Sequence, residues 1–462
     1  MNRKLSTTND DPSKKDQSTV HFFIDTIEVE RLSALAFFEA GEDAFDGKRF
    51  FWQNREKNFT LVGLGHAYTI ESNEDESRYE TVEQQWKALI AVSNYKDYPQ
   101  QPILFGSYTF DPKKAVSNEW SHFSHAYFAL ATHQLVIRNE KMYVNSHIVS
   151  REAITVEDIK RCNAERDELL HKAQVRGSKS YAKLHVTSMM EPYKEEYLQS
   201  ITQVTDKIKE GVAEKVVIAR SLALEFSAEV TASNVLAQVY AEQPESYLFA
   251  LEKEQNLFFG ASPERLVLVK DNKAYSSCIA GSIKRGATKE MDDQLGQSLL
   301  NDAKNLQEHQ YVVEMISQSF KENCINYTVP TAPQLLRIRD IQHLYTPVEG
   351  DLNEGATILQ MVANLHPTPA LGGSPRGKAM DMIRDYEPMN RGLYAGPIGW
   401  MNAEGDGEFA VAIRSALLQQ KKAFLYAGGG IVADSEAMSE YDETLVKFRP
   451  MLRALGGQLN DD

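Results

Sequence analysis

Glu440, Glu443 and Lys447 stand three and four residues apart in a polar stretch that follows Gly428-Gly429-Gly430-Ile431-Val432-Ala433-Asp434-Ser435. At helical spacing the three share one face. Two carboxylates and an ammonium pointing the same way suit a hard cation together with an anionic substrate. The glycines, reached through the apolar strand-like run Ala423-Phe424-Leu425-Tyr426-Ala427, let backbone approach a ligand closely. An exposed helix with an i, i+4 ion pair has the same spacing, and spacing does not separate the two readings. Lys215 opens the apolar run Lys215-Val216-Val217-Ile218-Ala219-Arg220. Burial disfavours an ammonium, so this lysine could serve as a neutral base; taken in isolation, a strand-end lysine is better read as carrying its charge to water along its stem. Glu264 falls between two apolar runs, in Gly260-Ala261-Ser262-Pro263-Glu264-Arg265, where burial would keep a carboxyl protonated and fit it as a general acid. Pairing with Arg265 is the structural alternative. Glu308, in a helical stretch with Lys304 and His309, is a third candidate cation ligand or simply the i+4 partner of Lys304.

The elements that must position these groups are bounded by composition. With 462 residues the chain exceeds one ordinary core, so two domains or one large layered body is expected. A net charge of −15 without long like-charge runs argues against non-specific nucleic-acid binding. Three scattered cysteines indicate neither a disulfide framework nor a zinc site, and no stretch reads as a signal peptide or membrane span, so a cytoplasmic location without membrane contact is expected. Residues 1–19 read as a disordered tail, residues 20–185 as mainly antiparallel sheet, and residues 186–455 as the catalytic part, with 175–184 as linker; one interwoven domain is the alternative. Residues 197–208 carry a helical stripe stopped by Gly211, residues 247–251, 257–259 and 266–269 read as strands, and residues 291–320 as one long helix. Gly372-Gly373-Ser374-Pro375-Arg376-Gly377-Lys378-Ala379 imitates a phosphate-binding loop, but Ala379 lacks the hydroxyl that would hold magnesium.

Taken in order, the residues resemble a known family. Lys215-Val216-Val217-Ile218-Ala219-Arg220, Gly260-Ala261-Ser262-Pro263-Glu264, Ala280-Gly281-Ser282 with Arg285-Gly286, Lys304-Asn305 with Glu308-His309, His343-Leu344 with Glu349-Gly350, His366-Pro367-Thr368-Pro369-Ala370, and Gly428-Gly429-Gly430-Ile431-Val432 to Glu443-Thr444 resemble the chorismate-utilising enzymes across most of residues 190–455. The resemblance implies a mixed α/β (α+β) fold with antiparallel sheets packed between helices. Lys215, and the His366-Pro367-Thr368-Pro369-Ala370 segment, are similar to the water-using branch rather than the ammonia-using one. The looser N-terminal likeness, Phe50-Phe51-Trp52-Gln53 and Gly63-Leu64-Gly65, is to isochorismate synthases of menaquinone biosynthesis. Implied roles follow: Lys215 as base and Glu264 as acid; Mg2+ held by Glu308 and Glu443, with Glu440 through water; His343, Thr368, Arg414, Lys447 and the amides of Gly428, Gly429 and Gly430 binding chorismate. No glutaminase partner is implied. Salicylate synthase, an isochorismate synthase of a siderophore pathway, an anthranilate- or aminodeoxychorismate-type aminating enzyme and a non-catalytic anion-binding protein are the alternatives; the oligomeric state stays open between monomer and homodimer.

Overall fold

The computed structural model describes residues 20–176, 181, 183–338 and 341–458. The expected tail lies outside these residues, and the expected linker lies partly outside them. The apolar run that opens at Lys215 continues to Phe226 as a strand buried along almost its whole length, as a continuous apolar run requires. It belongs to a twelve-stranded sheet; a second sheet has ten strands. Both sheets take strands from either side of residue 185. Arg49–Gln53 pairs antiparallel with Tyr247–Lys253, and Ile103–Tyr108 pairs antiparallel with Pro397–Asn402.

The sheets face each other through aromatic side chains. Phe50 stacks on Phe105 at 4.8 Å between ring centroids, and Phe59 meets Trp400 at 4.4 Å. The other side of the twelve-stranded sheet is covered by helices Ala34–Ala40, Ala232–Glu242 and Ala437–Ala454, which bury Phe37, Leu236 and Phe448 against it. Helix Ala303–Asn323 covers the ten-stranded sheet, where His309 bonds the Ala280 carbonyl and the Thr346 hydroxyl. The result is helices, sheet, sheet, helices, with each apolar face buried against another.

Two local expectations are corrected. The long helix expected over residues 291–320 is two helices, Lys289–Asn301 and Ala303–Asn323. Asp302 leaves helical geometry and its carboxylate caps the amide of Asn305, so a residue that favours N-caps starts a new helix. The second concerns the glycines: the strand does not end before them but runs Lys422–Ile431, with Gly428, Gly429 and Gly430 opposite Ala219, Ile218 and Val217. The phosphate-loop look-alike is also accounted for. A Cβ on Gly373, at φ +128°, would meet the Lys215 carbonyl, so this glycine permits a close strand approach. Among the described residues no helix is long and apolar enough to cross a membrane.

Candidate active site

A cavity of about 600 Å³ opens at the edge of the twelve-stranded sheet, and Lys215, Glu264, Glu308, His343, Arg414, Gly428, Gly430, Glu440, Glu443 and Lys447 all line it. Each comes from a different requirement of the fold. Lys215 begins the long strand and is almost wholly buried, with Nζ 3.5 Å from Glu308 Oε2. Its stem needs the missing side chain of Gly430: a Cβ there would sit 2.5 Å from Lys215 Cε and 3.1 Å from Nζ. Because the atoms in the way belong to the end of a flexible chain, Gly430→Ala should displace the lysine rather than unfold the protein. We expect kcat to fall at least about tenfold, with melting temperature within a few degrees of wild type, the loss expected when a reacting group is misplaced by about 1 Å. Steady-state kinetics and thermal melts check this.

Glu264 occupies the two-residue connection, with Pro263, between strands Asn256–Ser262 and Arg265–Lys270. Its backbone is pinned, the amide by Ser262 Oγ at 3.2 Å and the carbonyl by the Val411 amide at 3.1 Å. Arg265 does not pair with it. That guanidinium turns to Glu408 Oε1 at 2.8 Å and Glu56 Oε1 at 3.4 Å. Buried with no compensating charge, the Glu264 carboxyl is pushed up to about 8 by desolvation. It is a neutral acid at neutral pH.

The C-terminal helix presents its three groups as the spacing requires. Lys447 Nζ lies 2.7 Å from Glu443 Oε1 and donates to the Gly428 carbonyl at 2.7 Å. The lysine charge holds the Glu443 carboxyl below its ordinary range, while burial, with the charge of Glu443 adding to it, raises that of Glu440 against a hydrogen bond from Ser435. Arg220, on the long strand, ties this helix down: its Nε donates to Thr444 Oγ1 at 2.7 Å and its guanidinium stacks 4.2 Å from the Tyr441 ring.

His343 is fully enclosed, with Nδ1 2.7 Å from Ser282 Oγ and Nε2 without a partner. Burial, then the charges of Arg414 and Lys447, lower its pKa to about 3, so the ring is neutral and offers one unspent nitrogen. Gly429 faces α-helical side chains instead of the cavity; its open position leaves room for Glu440 Oε2, 3.2 Å from where a Cβ would stand. Thr368 is not brought to the cavity wall. Its hydroxyl is buried without a partner, and its carbonyl accepts the amides of Leu371 and Gly372. Among the described residues no three His, Cys, Asp or Glu side chains cluster tightly enough to hold a metal; Glu308 lies against Lys215 and Glu443 against Lys447. Sequence reasoning missed Arg391, Tyr394 and Tyr426 in the wall; the two tyrosine rings stack at 5.3 Å. Nothing in their spacing distinguishes them from core aromatics.

Two antiparallel sheets between helices enclose a cavity lined by an uncharged acid, a buried lysine and three further carboxylates, and residues 6–456 match the chorismate binding enzyme family, to which this chain belongs. Among its relatives, the isochorismate synthase MenF of Bacillus subtilis is 41% identical over 439 residues, covering 93% of each chain. The salicylate biosynthesis isochorismate synthase of Pseudomonas aeruginosa is 33% identical, over 94% of this chain and 90% of its own. Among solved structures, MenF, the menaquinone-specific isochorismate synthase of Escherichia coli, superimposes with a TM-score of 0.79 at 26% identity, covering 96% of both chains.

Proposed function

We propose that this protein is an isochorismate synthase, an isomerase that converts chorismate to isochorismate for menaquinone biosynthesis. The observation that carries the reading is the pairing, in one cavity, of Lys215 with an uncharged Glu264, in a chain 41% identical across nearly its whole length to a curated isochorismate synthase.

The chemistry follows from the two groups. Lys215, acting as the base, takes a proton from the water attacking C2. The ring double bonds shift, and the C4 hydroxyl leaves with the proton of Glu264, so that one water enters and one departs. Afterwards Lys215 is protonated and Glu264 ionised, which is the arrangement the reverse reaction needs. Reactant and product differ in the position of one hydroxyl, and the reaction runs both ways. Arg414 and Lys447 supply positive charge for the carboxylates that a chain of net charge −15 otherwise lacks, and neutral His343 offers Nε2 for positioning.

Glu308, Glu440 and Glu443 are not gathered into a ligand cluster, but all three are hard oxygen donors lining one cavity, the ligand type magnesium takes, and the like charges of Glu440 and Glu443 at one wall are what a dication relieves. Glu308 and Glu443 would hold it, with Glu440 through water. When bound it would neutralise the ring carboxylate of the substrate. We expect the purified protein with chorismate and Mg2+ to yield isochorismate, and activity to vanish on chelation and return with added Mg2+. Chromatography decides the matter: pyruvate with salicylate would mark a lyase, and turnover only with ammonia an aminating enzyme. The reading includes no glutaminase partner and a cytoplasmic setting, supported by three cysteines that are free and buried.

A further inference from the structure

Arg391 is a cation in the wall of a cavity that receives a dianion, yet each nitrogen of its guanidinium is committed to protein. Nε donates to Glu387 Oε1 at 2.9 Å, Nη1 to the Leu371 carbonyl at 2.9 Å, and Nη2 to the Val217 carbonyl at 2.8 Å and to Glu387 Oε2 at 2.7 Å. The guanidinium lies 4.1 Å from the Phe110 ring centroid. Glu387 Oε2 in turn accepts the Ala219 amide at 2.8 Å. Both side chains are almost wholly enclosed.

Together they fill a gap in the sheet. On one side of the strand Lys215–Phe226, pairing with Gly373–Ser374 ends at Val216, and pairing with Val186–Met190 begins at Ala223. The Val217 carbonyl and the Ala219 amide would otherwise be buried edge groups without partners, a costly state. An arginine and a glutamate take the place of the missing strand. Desolvation offsets much of the attraction in a buried ion pair, so stability is a weak reason for its presence. What the pair fixes is geometry. It joins three walls of the cavity: the strand with Lys215 and Val217, the turn with Ala370 and Leu371, and the segment with Tyr394 and Ala395.

We infer that Glu387 and Arg391 form a positioning pair that holds the strand carrying Lys215 in place for proton transfer, and that Arg391 is not a substrate ligand. The inference rests on the proposed isochorismate synthase reading. Arg391→Lys keeps the charge and removes the planar fork. In the otherwise unaltered protein we expect kcat to fall roughly 10- to 100-fold while KM for chorismate moves less than about threefold, as misplacement of a reacting group dictates. In a Lys215→Ala background, whose residual rate stays measurable if a general base contributes no more than about 10⁴-fold, the same substitution should cost less than about threefold. Amide exchange at residues 217–219 should quicken. A tenfold rise in KM at constant kcat would make Arg391 a substrate ligand, and an equal loss in both backgrounds would make the pair a general structural feature; either overturns the inference. Should Arg391→Lys fail to fold, Glu387→Gln, which keeps an acceptor for Ala219, is put through the same cycle with the same expected pattern. If the unaltered protein makes no isochorismate, the functional reading fails, and amide exchange alone then decides the structural tie, unchanged protection at Ala219 counting against it.

Discussion

Glu264→Gln should make this protein both nearly inactive and more stable. The amide has no proton to give the departing hydroxyl, and loss of a general acid costs roughly 10²- to 10⁴-fold in kcat. The gain in stability comes from the same burial that makes Glu264 an acid. Its carboxyl is raised from an ordinary 4.5 to about 8 by desolvation. Between those values the folded chain keeps a proton that the unfolded chain gives up, so the stability tied to this proton is fully present below pH 4.5 and lost as pH rises through about 8. An amide does not titrate. The variant should therefore match wild type near pH 4 and exceed it by about 3 kcal/mol at pH 7, a few degrees or more in melting temperature. Melting both proteins across pH 5 to 9 tests the thermodynamic half. The kinetic half has its own signature, because wild-type kcat/KM for chorismate should fall as pH rises through about 8, where the acid ionises. A melting-temperature difference that does not grow with pH, or a rate close to wild type, would remove Glu264 from the role.

How far the site can be read in the sequence depends on how local its cause is. The helix Ala437–Ala454 is legible because three and four residues are one turn, so Glu440, Glu443 and Lys447 share a face wherever that helix docks. Glu264 is legible as a residue flanked by buried strands, but its protonation is not: that depends on Arg265 turning to Glu408 and Glu56, residues far off in the chain. The long strand reveals Lys215 as buried, yet the room for its side chain comes from Gly430 across the sheet, and its neighbour Glu308 from a helix on another layer. Interleaving of the sheets is equally non-local. Antiparallel strands either side of residue 185 are evident from alternation, whereas the pairing of Arg49–Gln53 with Tyr247–Lys253 joins residues about two hundred apart in sequence, and no periodicity encodes it. Arg391 and Thr368 mark the limit from opposite sides. Arg391 lines the cavity without any signal in its spacing, and Thr368, prominent by resemblance, has its hydroxyl buried off the wall.

Lys215→Ala should cut turnover severely, by roughly 10²- to 10⁴-fold in kcat, to a residual rate that concentrated enzyme still reveals, while leaving a folded protein that still binds chorismate. Folding is expected to survive because the space vacated adjoins the open cavity, where water can enter, instead of leaving a sealed void in the core. Binding should survive because the groups proposed to meet the carboxylates, Arg414 and Lys447, are anchored independently: Arg414 Nη1 to the Lys447 carbonyl at 3.2 Å, Lys447 Nζ to Glu443 and the Gly428 carbonyl. The variant also separates the two roles that the lysine's position allows. Lys215 Nζ stands 3.5 Å from Glu308 Oε2, where a positive charge would balance a carboxylate proposed to hold magnesium. Were neutralisation its whole contribution, added Mg2+ would replace it and restore the rate. A base cannot be replaced by a cation, so saturating Mg2+ should leave kcat depressed, and calorimetric Mg2+ affinity should be equal to or tighter than that of the unaltered protein once its competitor is gone. Recovery of the rate with magnesium would transfer Lys215 from proton transfer to charge balance, and the water attacking C2 would then need another base.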